Sequence, residues 1–470
     1  MAVSAPRLII NGEFVSTTAR TEVLNPATAA PFIDVPETDL AQLDLAVEAA
    51  GRAGLSWRVT PLAERQKHVQ QIAVILREHL DELALLITLE QGKPLAKSRG
   101  EIDSGLRWIE SFATMDIPTE VIRDDASETV VLNRIPLGVV AAITAWNYPL
   151  LLALWKVAPA LVAGNTVIVK PSPYTPVATL RLAELLQDVL PAGVLQVLPG
   201  GDELGKAITA HPGIAKISFT GSTATGRAIM AGSAGNLKRL TLELGGNDAG
   251  IVLDDADPAT IAANLYWGAL SNCGQVCAGL KRLYVPESLA ADIQEALAEI
   301  AATVVVGDGL TEGVDMGPIQ NKEQFERVTG LVADAERRGA DVYFRGHAPG
   351  GPGYFYPITL VRGLTDDVPL VAEEQFGPVL PVLTYSDVDD VIARANASEL
   401  GLGASVWSPD EARAIEVADR LQAGSVFVNQ HPAMSTDTPF GGIKQSGLGV
   451  ESGLHGLLAY TDITVLRVKH

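Results

Sequence analysis

Two cysteines stand four residues apart in Asn272-Cys-Gly-Gln-Val-Cys277, and the chain has no others. A thiol becomes a nucleophile once a base or a lowered pKa makes it a thiolate. No histidine stands in local sequence to do this, and the seven histidines are scattered with none near the cysteines. With no third ligand at hand, a metal site is not expected. Free cysteine is also among the most buried residue types, so core packing stays open for Cys273 and Cys277. The other candidate base is a carboxylate. Glu243 lies in Thr241-Leu-Glu-Leu-Gly245-Gly246, an apolar run ended by two glycines. A charge inside such a run is costly unless it is paired or functional, although an edge strand could turn it to solvent.

Three further positions have the chemistry to meet negative charge. Lys170 follows Val167-Ile-Val and precedes Pro171-Ser172-Pro173. A lysine at the carboxyl end of a central strand points where open α/β sheets bind ligands, or is simply solvated. Ser218-Phe-Thr-Gly221-Ser222 joins a strand to a helix and aims amides and a hydroxyl at an anion. It is not the GxGxxG dinucleotide fingerprint. Gly200-Gly201 with Gly205 could be mistaken for that fingerprint, and reads better as a tight turn. Asn147 is polar within Ala145-Trp-Asn-Tyr-Pro149, as a turn residue or as an amide donor.

These residues need elements to hold them. Short apolar runs at 137–143, 166–169, 194–198, 216–219 and 240–244 alternate with helical segments starting near Pro149, Val177, Asp202 and Thr223. That alternation predicts βαβ units around a parallel sheet buried on both faces. The pattern resumes at 282–285, a helix from Glu287, 303–306 and 379–383, which predicts a second α/β unit. Upstream, strands are expected at 8–10 and 22–24, with a turn at Asn11-Gly12. A helix capped by Asp39 follows, then a longer helical region from Val69 to Ile87 that Gly92 and Pro94 stop. The glycine-rich stretch from Phe440 to Gly449 reads as a packed loop.

Composition bounds the partners. The chain has 470 residues, 47% hydrophobic and 19% charged, the profile of a soluble globular protein. That length carries a prior of about three domains or large subdomains. Lys and Arg number 35 against 56 Asp and Glu, a net charge of −21. Such a surface repels phosphate backbones and anionic lipid, so neither nucleic acid nor membrane is an expected partner. The 21 uncharged residues from Ile135 to Trp155 have the length of a membrane span. Pro136, Gly138 and Asn147-Tyr148-Pro149 divide that run into a strand and a helix. Two cysteines and a start without signal-peptide regions lead to the expectation of a reducing, cytoplasmic setting.

Placed in order, the segments resemble the aldehyde dehydrogenase superfamily over nearly the whole chain. The matching motifs are Trp146-Asn-Tyr-Pro149, Lys170-Pro-Ser172, Phe219-Thr-Gly-Ser222, Leu242-Glu-Leu-Gly-Gly246, Gly274-Gln-Val-Cys277, Glu373-Glu-Gln-Phe-Gly-Pro378 and Pro439-Phe-Gly-Gly-Ile-Lys444. The spacing of 34 residues between Glu243 and Cys277 also matches. The resemblance implies a Rossmann-like cofactor domain over 1–115 and 135–243 and an α/β catalytic domain over 244–448. A small β bridging and oligomerisation element would comprise 116–134 and 449–470.

The resemblance also implies roles. Cys277 would attack the aldehyde carbonyl to give a thiohemiacetal, with the Asn147 amide and the Cys277 N–H as the oxyanion hole. Hydride transfer to the nicotinamide would leave a thioester, and Glu243 would activate water for its hydrolysis. Lys156 and Glu451 would support proton handling around Glu243. Lys170, Ser172 and Pro173 would lie at the adenosine ribose, and Gly221 and Ser222 at the pyrophosphate. Glu374 would hold the nicotinamide ribose of NAD and Phe376 would pack near the nicotinamide, with Trp146, Leu244 and Gly245 also at the cofactor cleft. Tyr148, Leu151, Leu152, Trp155, Met434 and Phe440 would line the aldehyde tunnel, although Tyr148, Leu152 and Trp155 also share a helical face that could be core.

Two departures stand out. NAD-preferring relatives often carry a glutamate where this chain has Pro173, so NADP is expected to be tolerated. Asn247 replaces a lysine that commonly follows Leu-Gly-Gly. The loop from Asn429 to Thr438 has no arginine to clamp a substrate carboxylate, which points to a neutral, apolar or aromatic aldehyde rather than a semialdehyde acid. A CoA-acylating enzyme would typically lack Glu243. The resemblance further implies a homodimer or homotetramer.

Overall fold

The computed structural model describes residues 5–470. Its organising feature is the helix Pro149–Val162, in which every residue is buried. Pro149 occupies the first turn, where a missing N–H costs nothing. Together with the strand Val139–Ile143 it accounts for the long uncharged run. Among the described residues no helix is long and apolar enough to cross a membrane.

The first large sheet has the strand order Arg239–Glu243, Lys216–Thr220, Val139–Ile143, Thr166–Lys170, Leu195–Val197, all parallel. Its three central strands are buried at every residue, which is why they read as unbroken apolar runs. Helices begin where expected, at Pro149, Val177, Asp202 and Thr223. Arg239–Glu243 is not an open edge. Gly447–Leu448 pairs antiparallel with it, placing Gly447 opposite Glu243 and closing that carboxylate off from solvent.

The second sheet has the order Asp341–Arg345, Thr359–Arg362, Val379–Tyr385, Leu280–Pro286, Asp248–Val252, Gly403–Trp407, Ser425–Val428, parallel except for the first pair. The strand expected at 303–306 is not there. Thr303 ends the helix Ala290–Thr303, and only Val306 makes an isolated bridge, to Met316. Three consecutive valines have strand propensity but find no neighbouring ladder, and Val305 is half exposed.

The helix Leu40–Trp57 carries the full capping box. Asp39 Oδ1 accepts from Gln42 N at 2.8 Å, and Gln42 Oε1 accepts from Asp39 N at 3.0 Å. The long helical region splits into Leu62–Glu78 and Leu80–Gln91 at His79. A single non-helical residue leaves the three-to-four apolar spacing intact, so hydropathy does not register the break. A third sheet, antiparallel, joins Glu120–Asp124, Glu128–Pro136 and Thr461–Lys469.

Candidate active site

Cys277 follows a tight turn, Ser271–Gly274, and precedes the strand Leu280–Pro286. Asn272, Cys273 and Gly274 all have left-handed backbone, at φ 51°, 60° and 69°. Gly274 is required twice over, because a Cβ there would lie 2.0 Å from the Gly377 carbonyl oxygen. The two cysteines are therefore not neighbours on a helix. Cys273 is buried, whereas Cys277 is half-buried. Burial first, then the charges of Glu374, Glu243 and Asp248, push the Cys277 thiol up to about 12.

Asn147 lies in the turn between the strand Val139–Ile143 and the helix Pro149–Val162. It is 3% exposed, and its Nδ2 donates to the Gln275 carbonyl at 3.0 Å, on the nucleophile's loop. An amide nitrogen carries two hydrogens, so one donor remains free. The Asn147 carbonyl in turn accepts from Asn272 Nδ2 at 3.0 Å and from Lys93 Nζ at 2.9 Å. The turn and the cysteine loop are thus bonded to each other in both directions.

Glu243 ends its strand 4% exposed, and neither carboxylate oxygen has a hydrogen-bond partner. Burial and the nearby Glu451 charge hold its pKa well above the usual carboxylate range, with Lys156 pulling the other way. Lys156 Nζ donates to Glu451 Oε1 at 2.5 Å and to Thr220 Oγ1 at 2.7 Å. Ser218 Oγ donates to the same Glu451 oxygen at 2.9 Å, which leaves Glu451 Oε2 without a partner.

A cavity of about 690 Å³ has Thr223, Arg227, Glu374 and Gln445 among its lining residues, and of the ten residues expected at the cofactor only Glu374 lines it. Glu374 stands where a Cβ on Gly245 would come within 2.4 Å of its Oε2, so the Leu244-Gly245 backbone passes directly under the carboxylate. Burial raises Glu374 to about 7, against the opposing charge of Lys281. Trp146 and Phe376 meet edge to face at 5.3 Å. Ser222 caps the helix Thr223–Ser233, accepting from Thr225 N at 3.2 Å, next to Gly221. Lys170 is buried, its Nζ donates only to the Pro171 carbonyl at 3.4 Å, and burial lowers it to about 8. Ser172 is buried beside it, whereas Pro173 is exposed. An aromatic pair, an under-used carboxylate and a buried cation short of partners suit a dinucleotide.

Six residues were expected along an aldehyde tunnel. Tyr148 and Leu151 line a cavity of about 420 Å³, whose other walls include Trp267, Ser271 and Cys273. Leu152, Trp155, Met434 and Phe440 are outside that lining. They pack in the apolar cluster that also contacts Cys277 and Tyr148, with Trp155 stacked on Trp108 at 5.0 Å and Phe440 against Trp155 at 6.3 Å.

Sequence alone did not single out Lys281 or the cavity residues Lys93, Glu101, Trp267 and Ser271. Lys93 Nζ and Glu101 Oε2 form a buried ion pair at 2.5 Å, and Lys281 Nζ donates to the Gly274 carbonyl at 2.6 Å. One signal was available: in the helix Leu95–Phe112, Glu101 shares its face with Ser98, Ile102, Gly105 and Ile109, a carboxylate on a buried stripe. Asn247 now has a physical account. Its Nδ2 donates to the Val371 and Ala372 carbonyls at 2.9 and 3.2 Å, and Arg282 Nε donates to its carbonyl at 2.9 Å, which ties down the segment leading to Glu374.

Residues 14–466 match the aldehyde dehydrogenase family. A probable aldehyde dehydrogenase from a Pseudomonas species is 42% identical, covering 97% of this chain and 93% of that protein. Phenylacetaldehyde dehydrogenase from Pseudomonas fluorescens is 40% identical, covering 99% of this chain and 96% of that protein. A solved aldehyde dehydrogenase from Bacillus cereus in complex with NAD+ superposes with a TM-score of 0.96 at 36% identity, covering 99% of this chain and 97% of the other. The chain belongs to the aldehyde dehydrogenase family. It is accordingly an oxidoreductase acting on aldehydes, with a nicotinamide cofactor.

Proposed function

We propose that this enzyme oxidises a neutral, largely apolar or aromatic aldehyde to the carboxylic acid, with water as the acyl acceptor. The observation that carries this reading is Glu243, a buried carboxylate with both oxygens unpartnered and close enough to raise the pKa of Cys277. The Cys277 thiol gives up its proton to solvent, Sγ then attacks the carbonyl carbon as the C=O π bond breaks, and the alkoxide of the thiohemiacetal is met by the free Asn147 N–H and the Cys277 backbone N–H. A bound nicotinamide dinucleotide supplies the two-electron acceptor. Glu243 takes a proton from the water that attacks the thioester on Cys277. A carboxylate raised by burial is the stronger base, so deacylation gains rate with rising pH until Glu243 is fully ionised. Lys156 and Glu451 stand ready to carry that proton onward.

Trp146, Glu374, Phe376, Leu244 and Gly245 would hold the nicotinamide end, Gly221 and Ser222 the pyrophosphate, and Lys170 and Ser172 the adenosine ribose. The exposed Pro173 offers no carboxylate to repel a 2′-phosphate, so the enzyme accepts NADP as well as NAD. We assign the cofactor domain to 1–115 and 135–243, the catalytic domain to 244–448 and the bridging element to 116–134 and 449–470, in a cytoplasmic homo-oligomer. Exposed Val121, Ile122, Ile463, Val465, Leu466 and Val468 on the three-stranded sheet support that last element as a contact between subunits.

The test is an aldehyde panel with NAD and NADP, followed by absorbance of the reduced cofactor. Benzaldehyde or hexanal should be oxidised in preference to succinic semialdehyde, and Cys277→Ala should abolish turnover. Preference for succinic semialdehyde would overturn the substrate class. A kcat/KM ratio above about a thousandfold in favour of NAD, some 4 kcal/mol of discrimination, would overturn NADP tolerance.

A further inference from the structure

We propose that the buried pair Lys93–Glu101 is the positioning unit of the Asn147 oxyanion donor. The inference rests on the reading of Cys277 chemistry given above and adds two residues to it. Lys93 and Glu101 are 2% and 0% exposed at their side chains; both border the 420 Å³ cavity beside Tyr148, and their hydrogen bonds go to each other and to backbone rather than to Cys277. Glu101 spends both oxygens on fixed partners. Oε2 accepts from Lys93 Nζ at 2.5 Å, while Oε1 accepts from the backbone N–H of Leu150 at 3.0 Å and of Leu151 at 3.2 Å. A carboxylate at that place satisfies N–H groups that the first turn of the helix leaves without partners, and it complements the positive end of the helix.

Lys93 connects this anchored helix start to the catalytic turn. Its ammonium donates to the Asn147 carbonyl at 2.9 Å and lies 3.8 Å from the centre of the Tyr148 ring. The residues on either side of the Asn147–Tyr148 peptide are therefore held by one buried cation. That cation is in turn held by a carboxylate bonded to the next two residues but one. The Asn147 side chain is fixed from the opposite direction by Gln275 on the cysteine loop. An oxyanion donor is useful only if it is already aimed before charge develops, and a displacement of about 1 Å can cost on the order of 100-fold in rate. The pair fixes where Asn147 points.

The test is a double-mutant cycle. Lys93→Met/Glu101→Gln removes both charges together and keeps an acceptor for the Leu150 and Leu151 amides, so no lone buried charge remains. The expected result is an unchanged dissociation constant for NAD and a single-turnover rate of aldehyde-dependent cofactor reduction lowered about tenfold or more. In an Asn147→Ala background the same double change should cost less than about threefold, because the group it positions is gone. A merely structural role would give equal losses in both backgrounds, and that result overturns the proposal. So does a full rate in the double variant. Should that variant fail to fold, Glu101→Gln alone is put through the same cycle with the same two criteria. An inactive wild type would overturn the functional reading together with this one, whereas an active wild type with additive losses overturns the positioning role alone.

Discussion

Two buried lysine–glutamate pairs involve the helix Pro149–Val162 that follows Asn147, one through the backbone amides of Leu150 and Leu151 and one through Lys156, and they differ in one respect. In both, the ammonium and a carboxylate oxygen are 2.5 Å apart, and both are shielded from solvent. Lys93–Glu101 is saturated, since each carboxylate oxygen is bonded to a lysine or to helix amides. Lys156–Glu451 is not. Glu451 Oε2 is free, and the wholly unpartnered Glu243 carboxylate, already raised by burial, is near enough for the Glu451 charge to raise it further. Saturation suits holding a backbone still, because moving either partner leaves a buried polar group unpaired. A spare lone pair beside a raised carboxylate suits passing a proton. Identical residue types at the same separation thus serve opposite ends, and the count of unfilled acceptors tells them apart.

The largest effect that could break this contrast lies at its unsaturated end. Glu243→Gln should cut steady-state turnover by about 10²–10⁴-fold while leaving a first-turnover burst of reduced cofactor. Stopped-flow absorbance separates the two, and loss of the burst would place Glu243 before rather than after thioester formation. Next in size is an opposed pair of pH responses. Glu451→Gln removes a negative charge that raises Glu243, so the acid limb of the deacylation profile should move to lower pH. Lys156→Met removes the cation that lowers Glu243 and should move the limb to higher pH. Glu101→Gln should reduce the rate without moving the limb, and a shift there would erase the distinction between the pairs. The smallest effect concerns a buried lysine with no carboxylate in hydrogen-bonding contact. Lys170 is lowered to about 8 by burial and loses its proton as pH rises through that value. NADP affinity should therefore weaken by a few-fold between about pH 7 and 9, more than NAD affinity does, as read by fluorescence titration.

How much of this was legible beforehand follows from where each residue finds its partners. The strands of the first sheet announce themselves because burial on both faces forces continuous apolar runs such as Val167-Ile-Val. Asp248–Val252 and Gly403–Trp407 mix Asp, Gly and Ser into their strands, and parallel pairing with distant segments makes them strands. Cys277, Glu243 and Asn147 each drew notice in their local runs, but those runs left core packing, an edge strand and a turn residue open, and only the ordered motifs of the resemblance joined the three in one expected site. Lys93 drew no such notice. Next to Gly92 and Pro94 it looks like punctuation after a helix, and its importance depends on contacts 8 and 54 residues away in the chain.

One contact has a consequence for how this enzyme can change. The Cys277 loop and the Glu374–Phe376 segment meet at Gly274 and Gly377, backbone against backbone, with no room for a side chain at position 274. Ser271 and Cys273, in the same turn as Gly274, form part of the wall of the 420 Å³ cavity proposed for the aldehyde. Any remodelling of this wall that shifts the loop must therefore be felt at the segment proposed to hold the cofactor. Variants selected for a new aldehyde will arrive with altered cofactor affinity, so the two preferences are inherited as a set and not adjusted one at a time.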